Sequence, residues 1–343
     1  MAAVDANQIL TELKGGKYRP VYFLQGEEAF YIDQISDYIE KNALEESQKG
    51  FNQVILYGRD IDMNVVIQNA RRFPMMSERQ VVIIKEAQDL KDLGKEAEAK
   101  LLMDYITNPL PSTILVFCHK NKVLDGRKAL AKTIDKNAVL LTTKKLYDNK
   151  IPAWISDYVK DRGYRIGVKA TALLAESVGS DLAPLSNEIE EIIINVPAKG
   201  SEITEDHIQK FVGISKDYNV FELQKALTIK DVVKANRIIN YFAQDPKGNP
   251  VIPTITVLFT FYSKLLTAHH QQDKSERNLA SVLKVNPFFV KDYITGIRNY
   301  NLSATVNCIR FLKDADLQSK GIKGGSMKDE DIMKELVFKL LHV

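Results

Sequence analysis

Cysteine is almost absent from the sequence, which has only Cys118 and Cys308 among its 343 residues. Because these two lie far apart, there is neither a disulfide framework nor a CxxC metal knuckle. A long apolar run is also missing: the longest, residues 251–262, contains several threonines and a proline and stops at Lys264. A membrane helix needs ~20 residues, and the N-terminus lacks the basic start and apolar core of a signal peptide. We therefore predict a soluble protein of a reducing cytoplasm.

The residue patterns of metal and nucleophile sites are missing as well. The five histidines have no HExxH or comparable ligand spacing, and the chain has no GxSxG motif. Cys118 and His119 are neighbours in a predicted strand, where adjacent side chains point to opposite faces, so we interpret Cys118 as a buried thiol. We predict no enzyme and no cofactor from these residues.

Charge is nearly balanced over the whole chain but unevenly distributed. Lys and Arg number 47 against 44 Asp and Glu, a formal net charge of +3, whereas residues 214–343 carry 19 against 13. This basic surplus fits contact with a nucleic-acid backbone or an acidic protein surface, and lysines on solvated helix faces explain it equally well. A nucleic-acid-binding helical scaffold therefore stays open as an alternative function.

Three regions with different periodicity follow one another along the chain. Up to about residue 143, short apolar strands alternate with helical patterns, which is typical of a parallel sheet with crossover helices. The predicted strands are residues 21–25, 52–57, 80–85, 113–118 and 138–143. Beyond them the pattern is helical, with Trp154 predicted in a core. We predict an α/β domain (1–143) with a five-stranded parallel sheet, a small helical domain (144–213) and an all-helical domain (214–343).

This layout is that of an AAA+ subunit, in which the phosphate loop GxxxxGK[ST] follows the first strand. Counting from Gly26, this chain has Tyr31 in place of the second glycine, Ile32 in place of the lysine and Asp33 in place of the hydroxyl residue. At the end of the third strand, Lys85 replaces the aspartate that positions magnesium. An active AAA+ ATPase is therefore disfavoured, and we predict that the degenerate loop binds no nucleotide.

One connection between a helix and a strand has an unusual composition. A helical pattern from Asp62 to Phe73 ends at Pro74, and Met75 and Met76 follow before the strand that begins near residue 80. Methionine is an adaptable, polarizable side chain that suits binding grooves. The pattern alone favours core packing slightly over an exposed contact, and both interpretations stay open.

Several segments, taken in order, resemble the delta subunit of the bacterial DNA polymerase III clamp loader. They are YFLQGEEAFYI, RRFPMMSERQVVIIKEA, GSDLAPLSNEIEEI, VFELQKAL and VLFTFYSKLL, and they extend over nearly the whole chain. The resemblance implies an AAA+-like fold that binds no ATP. It also implies that Phe73, Pro74, Met75 and Met76 form the clamp-binding element, although aromatic or leucine side chains are commoner there than two methionines.

The resemblance further implies a function and a set of partners. The chain would hold open one interface of the ring-shaped sliding clamp, the beta subunit, so that primed DNA can enter during replication. Residues 214–343 would join the gamma or tau ATPase subunits and the delta-prime subunit in a collar. The chain would then be a non-catalytic subunit of the DNA polymerase III holoenzyme, located in the cytoplasm at the replisome and nucleoid, with no membrane contact.

Overall fold

The structure is a computed structural model that describes residues 5–91, 93–196, 200–213, 215, 218–323 and 327–343. The chain divides into two compact units, residues 1–146 and residues 147–343, which we call the first and second units. The division into three domains that the sequence suggests stays a prediction.

The first unit contains a five-stranded sheet in which every strand is parallel to its neighbours. The strands lie in the order β2-β3-β4-β1-β5. Their bounds are β1 Val21–Gly26, β2 Gln53–Tyr57, β3 Gln80–Lys85, β4 Thr113–Lys120 and β5 Val139–Thr143. The five predicted strands and their parallel arrangement are confirmed, with β4 two residues longer than predicted.

Helices cover both faces of this sheet. They are α1 Ala6–Lys14, α2 Ala29–Asn42, α3 Glu46–Asn52, α4 Met63–Ala70, α5 Glu96–Thr107 and α6 Ala129–Asn137. Alternate strand residues point to opposite faces, so one core joins the sheet to α1 and α2, and a second core joins it to α4, α5 and α6. Cys118 is buried in the first of these cores, as predicted, and burial raises the pKa of its thiol to about 12.

Parallel pairing aligns the strand ends of the first unit. The carboxyl ends of β1, β3 and β4 meet at one margin of the sheet, which we call the carboxyl edge. The residues that enter β3 lie at the opposite margin, the amino edge. The degenerate phosphate loop therefore lies at the carboxyl edge and the methionine pair at the amino edge.

The second unit is mainly helical. Its helices are α7 Ile151–Asp161, α8 Val168–Val178, α9 Leu182–Asn195, α10 Glu205–Phe211, α11 Val220–Thr228, α12 Val232–Gln244, α13 Val251–His269, α14 Glu276–Leu283, α15 Val290–Asn299, α16 Leu302–Ser319 and α17 Asp329–Leu341. A short parallel pair, β6 Arg165–Ile166 and β7 Glu202–Ile203, was not predicted, because two residues are too few for a period to appear. The prediction of Trp154 in the core is wrong, since its ring is only partly buried and stacks on Tyr158.

Helix α13 is the central helix of a large core in the second unit. It extends past Lys264 to His269, so the helix is longer than the apolar run in the sequence. Length and composition alone would allow this helix to cross a membrane. Its inward face, however, is buried among residues of α11 to α17 that form one core, which is the usual position of a core helix in a soluble protein.

Candidate functional site

The methionine pair lies in the connection between α4 and β3, at the amino edge of the sheet. Helix α4 ends at Ala70, so the prediction that it continues to Phe73 is wrong by three residues. The backbone oxygens at its end accept hydrogen bonds from side chains of two strands. Gln80 Nε2 of β3 donates to Asn69 O at 3.1 Å, and Thr113 Oγ1 of β4 donates to Ala70 O at 2.9 Å. These contacts end the helix and leave residues 71–79 as an irregular segment.

The side chains of this segment are exposed to solvent. Met76 is fully exposed, Met75 is 55% exposed and Phe73 is 76% exposed, whereas Pro74 is partly buried. The interpretation of the methionines as core residues is therefore wrong. Large apolar side chains that are exposed close together in sequence are a candidate surface for contact with a partner.

The backbone at Met76 has an uncommon conformation. Its φ is +51°, in the left-handed region that costs a residue with a Cβ roughly 1–2 kcal/mol. The residue before it is held by two hydrogen bonds: Asn52 Oδ1 accepts from Met75 N–H at 2.6 Å, and Asn52 Nδ2 donates to Met75 O at 2.9 Å. The two methionines therefore project from an ordered turn.

The basic side chains of this segment differ in their surroundings. Arg71 and Arg72 are exposed. Arg79, in contrast, lies with its guanidinium 5.1 Å from the centre of the Tyr18 ring and 3.9 Å from the carboxylate of Glu78. Arg71 and Arg72 are therefore better placed than Arg79 to meet acidic groups at the rim of a contact.

At the carboxyl edge, Gly26 occupies the position of the first phosphate-loop glycine. Its φ is +128°, and a Cβ on this residue would lie 2.1 Å from Thr143 O in β5. Glycine is thus required by the close approach of two strands. Its N–H donates to Lys122 O at 3.2 Å, so this amide is already engaged.

The amides that follow Gly26 are engaged as well. Glu27 N–H donates to Thr143 O at 3.1 Å, and Glu28 N–H donates to Thr143 Oγ1 at 3.2 Å. The Glu28 carboxylate accepts from Phe30 N–H at 3.2 Å and caps the N-terminus of α2. In a phosphate loop, such amides bind the anion. Here a carboxylate of the chain itself stands at the helix N-terminus and would repel a phosphate.

Ile32 and Asp33, which replace the lysine and the hydroxyl residue of the phosphate loop, make other contacts in this chain. Ile32 is completely buried in the core beneath α2, and Tyr31 packs partly against the same core. Asp33 pairs with Lys120, whose Nζ lies 2.7 Å from Asp33 Oδ1 and 3.4 Å from Glu86 Oε1. An ammonium group therefore joins two acidic side chains at the carboxyl edge.

The positive charge of Lys85 is also paired with acidic groups, since its Nζ lies 2.9 Å from Glu40 Oε2 and 3.8 Å from Asp37 Oδ1. Burial alone would lower the pKa of Lys85, but the nearby carboxylates of Glu40 and Asp37 outweigh burial, so the pKa is raised. The same holds for the pKa of Lys120, which Asp33 and Glu86 raise against the effect of burial. Both lysines therefore stay charged at neutral pH. Within the described residues, no group of three or more His, Cys, Asp and Glu side chains could hold a metal ion.

Comparison with known proteins shows which proteins the chain resembles. Residues 22–144 match the family model for the DNA polymerase III delta subunit. DNA polymerase III subunit delta of Bacillus subtilis is 27% identical over 329 residues, which cover 94% of this chain and 93% of that protein. A probable DNA polymerase III subunit delta of Aquifex aeolicus is 22% identical over 309 residues, 88% of this chain and 86% of that protein.

The chain is related to the DNA polymerase III delta subunits. Among solved structures, the DNA clamp loader delta protein of Bacillus subtilis is similar, with a TM-score of 0.57 and 24% identity. The match covers 98% of this chain and 99% of that protein's chain. The predicted resemblance to delta subunits and the predicted AAA+-like fold class are confirmed. Both the methionine pair and the degenerate phosphate loop lie within the part of the chain that the delta family model matches.

Three residues of interest at these two edges were not identified from the sequence. Lys120 follows the predicted end of β4, and no sequence pattern predicts its ion pair with Asp33. Asn52 was assigned to a strand but ends α3 and binds Met75. Phe51, which precedes Asn52, is 67% exposed and adds an aromatic ring at the amino edge.

We expect the chain to bind no ATP. The amides of Gly26, Glu27, Glu28 and Phe30 are engaged, the Glu28 carboxylate caps α2, and Lys120 joins Asp33 to Glu86. Isothermal titration with ATP and magnesium should therefore give no heat of binding. A dissociation constant near 1 μM, about −8 kcal/mol, would contradict this prediction.

Proposed function

We propose that this chain is the clamp-loader subunit that binds the ring-shaped sliding clamp, the beta subunit, and holds one of its interfaces open. Primed DNA would enter through that gap during replication. The observation that carries the proposal is the exposed pair Met75 and Met76, presented on an ordered turn within the region that the delta family model matches. Phe73, Pro74 and the methionines would form the clamp-binding element.

The chemistry of the two edges supports a role without catalysis. Apolar side chains on a turn suit a groove in a protein partner, because binding removes them from water. At the carboxyl edge, the amides and lysines that a triphosphate would need are already engaged with other groups of the chain. Energy from ATP would therefore come from the gamma or tau ATPase subunits, and this chain would respond to them by exposing or covering its clamp-binding element.

Opening a ring requires a difference in affinity between two states of the clamp. A ligand shifts an equilibrium only by the ratio of its affinities for the two states. The methionine turn must therefore bind the open clamp more tightly than the closed one. A factor of about 10⁴ would move the clamp from 1% to 99% open.

The remaining regions would have supporting functions. Residues 214–343 would form the collar that joins the ATPase subunits and delta-prime, and residues 144–213 would be a small helical lid domain. Exposed apolar side chains on the collar helices support this assignment, among them Val233 and Phe338. The complex would work in the cytoplasm, at the replisome.

The basic surplus of residues 214–343 also supports a second candidate, a nucleic-acid-binding scaffold that makes no clamp contact. That function predicts tight binding of DNA by the isolated chain, with a steep loss of affinity as salt is raised. In the proposed function, DNA contact belongs to the assembled complex instead.

The direct test is binding of the purified full chain to the sliding clamp of the same organism. We expect a complex with micromolar or tighter affinity, measured by surface plasmon resonance. A fluorescent label at the clamp interface should change its fluorescence intensity as that interface opens. Absence of clamp binding, together with tight and salt-dependent DNA binding, would support the scaffold function and reject the proposal.

We expect a chain that ends at Leu146 to bind the clamp but not the ATPase subunits. This part is a compact unit with its own core on each face of the sheet. Circular dichroism would check that it is folded, and gel filtration with each partner would measure assembly. A folded fragment that joins the ATPase subunits but not the clamp would reverse our assignment of the two functions.

A further inference from the structure

Two amide side chains of α3 contact the backbone or side chains on either side of Met76. Gln48 and Asn52 are four residues apart, so they lie on the same face of this helix, one turn from each other. Asn52 binds the residue before Met76, and Gln48 binds the residue after it. Asn52 is buried, with 2% of its surface exposed, and Gln48 is partly buried.

The contacts of Asn52 use both ends of its amide group. Its Oδ1 accepts from Met75 N–H at 2.6 Å, and its Nδ2 donates to Met75 O at 2.9 Å and to Gln48 O at 3.1 Å. Both backbone polar groups of Met75 are therefore bound to one side chain. An amide can do this because it carries a donor and an acceptor.

The contact of Gln48 is on the other side of the turn. Ser77 Oγ lies 3.1 Å from Gln48 Oε1 and 3.1 Å from Arg79 O, and the Arg79 N–H approaches it at 3.5 Å. Ser77 thus lies between α3 and Arg79, the residue before β3, and its one hydroxyl proton can be donated to only one of the two oxygens. Met76, whose φ is +51°, therefore lies between two residues that α3 contacts.

The side chain of Met76 does not explain its own backbone conformation. It is fully exposed, so no packing of that side chain offsets a φ of +51°. Strained backbone persists only where its surroundings enforce it, and such positions occur often at binding sites. Here the surroundings that enforce it are the contacts to Gln48 and Asn52.

We propose that Gln48 and Asn52 are positioning residues that hold the methionine turn in its binding conformation before the clamp arrives. This inference rests on the proposed function, because it concerns the same contact with the sliding clamp. A turn that is already ordered loses less conformational entropy on binding than a flexible one. The two amides would raise clamp affinity without touching the clamp.

Alanine substitutions in the full chain test this proposal. Asn52→Ala should weaken clamp binding about tenfold, which corresponds to about 1.4 kcal/mol, and Gln48→Ala should weaken it about threefold. Asn137→Ala is the matched control, because Asn137 Nδ2 also donates to a backbone oxygen four residues earlier, Thr133 O at 3.1 Å, but Asn137 lies at the end of α6 and not in α3. The control should bind the clamp as the unmodified chain does.

A positioning role also has a signature that general loss of stability lacks. In a chain that already carries Met75→Ala and Met76→Ala, adding Asn52→Ala should change clamp affinity less than twofold, because the amide acts only through those side chains. In the free Asn52→Ala chain, the Met75 amide should exchange with solvent at least tenfold faster. Amides within β3, such as Ile83, should keep their protection.

The outcomes separate this inference from the proposed function. If the methionine substitutions weaken clamp binding but neither Asn52→Ala nor Gln48→Ala does, the positioning role is rejected and the proposed function stands. If the unmodified chain does not bind the clamp, both are rejected. Should Asn52→Ala fail to fold, as loss of protection in β3 would reveal, Gln48→Ala decides: unchanged clamp affinity rejects the role, and a threefold loss supports it.

Discussion

Replacing Met75 and Met76 together by alanine is expected to weaken binding to the sliding clamp at least tenfold. Full burial of a methionine side chain contributes ~1.5–3 kcal/mol, and both side chains have exposed surface left to bury. A few anchors usually carry most of the energy of an interface. Exposed arginines at the rim contribute only ~0–1 kcal/mol per ion pair, so Arg71 and Arg72 cannot replace the methionines.

The same double substitution should leave the stability of the chain nearly unchanged. Exposed positions without special contacts alter the free energy of unfolding by about 0.5 kcal/mol or less, which corresponds to a shift of about 2 °C or less in melting temperature. Val123→Ala, which shortens an exposed apolar side chain beyond the carboxyl end of β4, should change neither clamp affinity nor melting. If melting falls by many degrees while the folded protein binds the clamp normally, the clamp-binding element must lie elsewhere.

The sheet was predictable from the sequence because its three central strands, β3, β4 and β1, are buried along nearly their whole length. Runs such as those of β3 and β4 are apolar at nearly every position, and they are separated by helical periods. The exact ends of elements were less predictable. Helix α4 ends at Ala70 because Gln80 and Thr113, from two different strands, bind its last oxygens. A contact of this kind between distant residues leaves no trace in the local pattern.

The candidate sites were predictable to different degrees. The degenerate phosphate loop was identified because its motif has a fixed spacing, and Tyr31 and Ile32 stand where that motif requires glycine and lysine. Lys85 likewise stands where the third strand should end in an aspartate. The sequence pattern did not predict whether Met75 and Met76 are exposed, because methionine occurs both in cores and on binding surfaces. Helix α3 has no apolar period, and Asn52 is its one buried residue, so its contact with Met75 required the folded structure.

Ile32→Lys restores the lysine of the phosphate loop in sequence, and we expect it to destabilise the first unit rather than create an ATP site. Ile32 is completely buried in the core beneath α2. An unpaired ammonium there should cost roughly 3–5 kcal/mol, which lowers the melting temperature by about 10 °C or more. No ATP binding should appear, because the amides of Glu27 and Glu28 remain bound to Thr143.

The pH dependence of this variant gives a second measurement with a definite sign. Burial disfavours the charged form, so a lysine at position 32 has a lower pKa in the folded state than in the unfolded state. Between those two pKa values the unfolded state binds more protons, and stability therefore rises with pH up to the ordinary lysine pKa of about 10.4. Ile32→Leu, which keeps the volume and adds no charge, should melt within a few degrees of the unmodified chain at every pH. If Ile32→Lys melts like Ile32→Leu and binds ATP at micromolar concentration, the turn after β1 retains a working phosphate loop, and our account of its engaged amides is wrong.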